Sequence, residues 1–69
     1  GDVIVKWEGL EIENGTVTLL TMEGKRLESR SIKGGQGQWD LSGLGLSSGI
    51  YVVLFEMDKQ AVPFKLIVL

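Results

Sequence analysis

Cysteine and histidine are both missing from this sequence of 69 residues, and proline occurs once. Without cysteine there is no disulfide framework, and without either residue there is no clustered ligand set for structural zinc. The commonest catalytic base is lost with histidine, so Ser47 and Ser48 read as loop serines rather than nucleophiles. Charge of one sign is equally scarce. Seven basic and nine acidic residues leave a net charge of −2, with no run of three like charges. A nucleic-acid binder needs a basic stripe to neutralise phosphates, and none is present. No apolar run approaches the ~18 residues of a membrane-spanning helix, and no signal peptide is visible. The lack of cysteine leaves the redox compartment open, since it suits an exported chain as well as a cytosolic one.

The remaining chemistry-bearing residues do not assemble into a site. Glu11 and Glu13 lie two apart on one face and read as a solvated surface, whereas an acid–base pair needs carboxylates in contrasting environments. Gly34-Gly35-Gln36-Gly37 lacks the Lys and Ser/Thr of a phosphate-binding loop, and no helix follows it. Asp40 and Asp58 stand apart from other acids, which does not suit calcium. No catalytic, metal or cofactor site is expected, and the chain reads as a non-enzyme. Trp7 and Trp39 are expected in the core, with a sugar-stacking platform as the alternative.

What is present is a period of two. Val3, Val5 and Trp7 alternate with Ile4, Lys6 and Glu8, and Leu10 and Ile12 alternate with Glu11 and Glu13. Asn14-Gly15 carries the residues favoured in a type I′ hairpin turn, and the spacing predicts a strand over 16–22 with Val17 and Leu19 inward. Glu23-Gly24-Lys25 predicts a second tight turn. The following strand, 26–32, is charged on both faces, as suits a protected sheet edge. A glycine loop leads to a short strand over 38–41 and then a long connection, 40–49. Residues 50–57 are apolar on both faces and predict a central strand. Met57 to Gln60 turns the chain, and Ala61 to Leu69 closes it, with Pro63 confining that strand to an edge or a bulge. No helix is predicted. The pattern specifies one domain over 1–69, an all-β immunoglobulin-like antiparallel sandwich of six to seven short strands. A chain near this length buries only about 60% of its unfolded surface, so stability is marginal. Gly1 reads as a remnant of tag removal, with the natural N-terminus upstream.

From Gly15 to Leu69 three pieces carry a family resemblance. They are Val17-Thr18-Leu19-Leu20-Thr21-Met22-Glu23-Gly24-Lys25-Arg26-Leu27, then Asp40-Leu41-Ser42-Gly43-Leu44 with Gly49-Ile50-Tyr51-Val52-Val53, then Lys65-Leu66-Ile67-Val68-Leu69. In order and spacing they resemble the C-terminal sorting domain of proteins exported by the type IX (Por) secretion system of Bacteroidetes. The connection from Asp40 to Gly49 is longer than that family's, and the first strand lacks its Asn-Pro. A related group of small exported immunoglobulin-like proteins of gut Bacteroidetes shares the strand signature. The resemblance implies a domain that folds in the periplasm and directs its cargo through the outer-membrane translocon to the cell surface or beyond, where a sortase-like peptidase removes it. It also implies Gly24, Asp40, Gly49, Tyr51 and Lys65 as the motif residues. A monomer is expected. The alternatives are a stand-alone exported protein and an accessory module of a larger secreted protein, touching carbohydrate through Trp7 or Trp39. Far-ultraviolet circular dichroism is expected to show a β spectrum without substantial helix.

Overall fold

The computed structural model describes residues 2–69; Gly1, read above as a tag remnant, lies outside the described residues. Six strands follow one another: β1 (Ile4–Trp7), β2 (Asn14–Thr21), β3 (Arg26–Lys33), β4 (Gly37–Asp40), β5 (Gly49–Met57) and β6 (Gln60–Val68). The one helical element among the described residues is a 3-10 turn at Ser42–Leu44. The strands form two antiparallel sheets, a four-stranded one in the order β3-β2-β5-β6 and a two-stranded one of β1 and β4. They pack face to face as a small β-sandwich.

The period of two explains which residues meet between the sheets. On the inner face of the larger sheet, Val17 pairs with Phe55 and Leu19 with Val53. From β4 and just beyond it, Trp39 and Leu41 come down onto them. Val17, Leu19, Ile32, Trp39, Leu41, Val53, Phe55 and Met57 form the buried core, with Val5, Trp7, Leu10, Ile12 and Tyr51 packed around it. Trp7 and Phe55 meet in a T-shaped arrangement at 5.3 Å between centroids, and Phe64 and Phe55 do so at 5.6 Å. β5 is central, as its two apolar faces require, and the charged β3 is an edge. Arg30 of that edge lies over the Trp39 ring at 5.8 Å, so its methylenes and guanidinium cap one flank of the core. Pro63 sits on the other edge strand, β6, where a missing N–H can face away from the ladder.

One reading is corrected. Asn14-Gly15 is not a hairpin turn but the start of β2, paired with Lys33 and Ile32 of β3, and neither residue has a positive φ. Residues 8–13 accordingly form no ladder. Leu10 and Ile12 are instead loop anchors on the core, the Leu10 amide donating to the Gly35 carbonyl at 3.1 Å. The reason for glycine at 15 is close approach: a Cβ there would stand 2.6 Å from the Glu56 carbonyl oxygen of β5. The tryptophan expectation holds fully for Trp39, which is 2% exposed, and partly for Trp7, which is half-buried. The two therefore form no exposed sugar platform.

Because the atom opposing Gly15 is backbone, it has little freedom to retreat. Gly15→Ala is expected to cost roughly 1–3 kcal/mol, the range for overpacking. Thermal unfolding should show a fall of about 4–8 °C per kcal/mol in a domain of this size.

Candidate functional site

The strand register gathers the five motif residues toward one end of the sandwich. Thr21, three residues before Gly24, pairs with Tyr51, and Tyr51 pairs with Leu66, the neighbour of Lys65. Gly49 faces Val68, and Asp40 closes β4 where the chain leaves the smaller sheet for β5.

Gly24 completes the β2–β3 turn. Its amide donates to the Thr21 carbonyl at 2.9 Å, the Thr21 amide donates to Lys25 O at 2.9 Å, and the Lys25 amide reaches Thr21 Oγ1 at 3.1 Å. Its φ of 92° is the left-handed value that such a turn places on its closing residue, so a side chain there would be strained. Gly49 starts β5 with φ of 155°, another conformation that side chains rarely adopt.

Asp40, Leu41 and Ser42 form a latch at the end of β4 that holds the start of β1. Leu41 is 1% exposed and fills the core end. Its amide donates to the Val3 carbonyl at 2.7 Å, while the Val3 amide donates to Ser42 Oγ at 3.0 Å, so both backbone polar groups of Val3 are held just before β1. The Ser42 amide in turn donates to Asp40 Oδ1 at 2.9 Å. The Ser42 hydroxyl, then its backbone amide, hold the Asp40 carboxyl below its ordinary value of 3.8, against a slight opposing effect of desolvation. At the far end of the connection, Tyr51 donates its hydroxyl to the Ser47 carbonyl at 2.7 Å. Asp40 and Tyr51 therefore brace the two ends of one loop. The role of Ser42 was missed from sequence, although Asp-x-Ser is the spacing of a side-chain-capped turn.

Lys65 is different in kind. It lies on the edge strand β6 opposite Val52 and is exposed. Val52 and Leu54 of β5 share that outer face with Pro63 and Ile67 of β6, Ile67 being 59% exposed. The lysine thus stands in an apolar surface.

Gly24, Asp40, Gly49 and Tyr51 shape one end of the β-sandwich, and Lys65 lies near that end with its side chain on the outer face of β6. A family model described as the secretion system C-terminal sorting domain matches residues 1–69, the whole chain. The chain belongs to that family. No curated protein and no solved structure gives a significant match. For this sorting domain, membership implies an exported protein of the Bacteroidetes that engages the type IX secretion machinery. No helix among the described residues is long and apolar enough to cross a membrane.

The Asp40 latch has a pH signature. A carboxyl that titrates lower folded than unfolded adds stability above its unfolded value and loses that contribution as pH falls through the folded one. Nuclear magnetic resonance titration should give Asp40 a midpoint below 3.8, with the Ser42 amide proton following the same curve. Asp40→Asn should remove the acid dependence from the Ser42 amide.

Proposed function

We propose that this sorting domain is the non-catalytic element by which the type IX translocon selects an exported protein. Residues 1–69 act in this reading as one domain and as a monomer, carrying the attached cargo across the outer membrane to the cell surface. A sortase-like peptidase then removes the domain. The observation that carries the reading is the family match over the full chain.

The motif residues divide by physical role. Gly24 sets a turn, Gly49 starts the central strand, and Asp40 and Tyr51 brace the loop between the sheets. These four present the recognised end in one shape. Lys65 makes the contact. A lysine set among Val52, Pro63 and Ile67 offers a charge framed by apolar surface. Such a combination favours a partner carboxylate over water only when the surrounding apolar contact is also made, which couples charge to shape.

The experiment compares fusions to a periplasmic reporter in a host that has the type IX system. The wild-type domain should bring the reporter to the cell surface. Lys65→Ala should reduce display by about tenfold or more, which corresponds to 1.4 kcal/mol of lost binding, while changing stability by no more than about 0.5 kcal/mol. Lys65→Arg should retain more display than Lys65→Ala. A wild-type fusion that folds yet stays periplasmic would overturn the proposal in favour of a stand-alone exported protein.

A further inference from the structure

The residue just before β1 is held by an acceptor that does not belong to a ladder. The Leu41 amide donates to the Val3 carbonyl at 2.7 Å, which continues the β1–β4 pairing one step past Ile4 and Asp40. In an antiparallel rung the Val3 amide would return the bond to the Leu41 carbonyl. The 3-10 turn at Ser42–Leu44 gives that carbonyl a different donor, the Leu44 amide at 3.1 Å. The Val3 amide bonds to Ser42 Oγ at 3.0 Å instead. A side-chain hydroxyl thus stands in for the ladder carbonyl.

Asp40 orients that hydroxyl. Its Oδ1 receives the Ser42 amide at 2.9 Å, and its carboxylate also takes the Ser42 hydroxyl proton. A hydroxyl whose proton is committed in this way turns an oxygen lone pair to the next donor, and the Val3 amide is that donor.

The strand that follows has little other backbone support. β1 is four residues long and pairs with β4 alone among the described residues. Its other edge lies open beside a trough lined by Val5, Trp7, Phe64 and Leu66. Strand ends fray first, so the bonds at Val3 decide how readily β1 lifts from β4. A peptidase takes its substrate extended, in a cleft that replaces the strand's former neighbours. It can cut within β1 only in the lifted state, at a rate that follows how often that state is populated. Asp2, ahead of these bonds, is exposed.

We propose that Ser42 is a positioning residue that guards the start of β1 against peptidase entry, so that the domain is removed by a cut ahead of Val3 and not within Ile4–Trp7. The part played in removal rests on the sorting reading; the guard itself does not.

The test uses the reporter fusion in wild-type, Ser42→Ala, Ser42→Thr and Gly15→Ala forms. Exchange of the Val3 amide proton should quicken by about fivefold to tenfold in Ser42→Ala, the loss of one hydrogen bond. Ser42→Thr keeps the hydroxyl and should restore the slow rate. Brief digestion with subtilisin, a peptidase of broad specificity, should cut Ser42→Ala within residues 3–7 and leave that stretch of the wild type intact. Gly15→Ala weakens a distant part of the fold and should change neither reading under native conditions. In the type IX host, the released wild-type domain should carry an N-terminus ahead of Val3, and the Ser42→Ala domain should add N-termini inside β1. An unchanged Val3 exchange rate, equal cutting of wild type and Ser42→Ala within 3–7, the same cuts from Gly15→Ala, or an unchanged N-terminus in the host would each overturn the proposal. A wild-type fusion that folds yet is never released counts against the sorting reading and against the part played in removal, while the exchange and subtilisin results still decide the guard.

Discussion

The two sheets of this protein share no ladder, so the sandwich depends on side chains meeting across the gap between them. With no cysteine to tie the layers, that contact comes down to a few large groups. Trp7 rests on Phe55, Trp39 and Leu41 fill the space above Val17 and Leu19, and the Asp40–Leu41–Ser42 latch holds the start of β1. Each is matched to its place. The latch needs a short polar side chain that accepts a backbone amide, and the core end needs an unbranched-at-β apolar residue deep enough to fill it. Leucine between aspartate and serine supplies both from three consecutive positions. The Trp7 indole Nε1 is the one buried side-chain polar atom left without a partner among the described residues, a cost carried by the contact that joins the layers.

Much of this organisation was legible in the sequence because strands write their faces at a period of two. β5 declares itself central by being apolar on both sides, and β3 declares itself an edge by being charged on both. The Gly24 turn is legible because its geometry demands a left-handed residue. Asn14-Gly15 misled for a related reason. Glycine is required both where φ is positive and where another backbone comes too close for a Cβ, and one sequence cannot say which applies. At Gly15 it is the Glu56 carbonyl that excludes the side chain. Leu10 and Ile12 misled similarly: alternate residues of an irregular loop can reach a core without any ladder behind them.

Function was legible only through the combination of motifs, and the structure explains why composition alone is silent. Of the five motif residues, Gly24, Asp40, Gly49 and Tyr51 have local work that any sandwich of this topology would need done. Their types follow from turn dihedrals and orphaned loop groups rather than from contact with a partner. With these residues as the sorting signal, as proposed above, recognition amounts largely to a requirement that the domain be folded in one particular way. Lys65 alone of the five has no such local work in the fold.

β6 is exposed along both of its faces. Its outer face carries Lys65 between Pro63 and Ile67, and its inner face carries Phe64 and Leu66 beside the uncovered trough. A strand in the interior of a sheet cannot offer both faces, because its neighbours and the opposing layer bury them. An edge strand beneath a sheet one strand too narrow can. The latch and the tryptophan contact keep the two layers closed beside a flank on which Phe64 stays half-exposed.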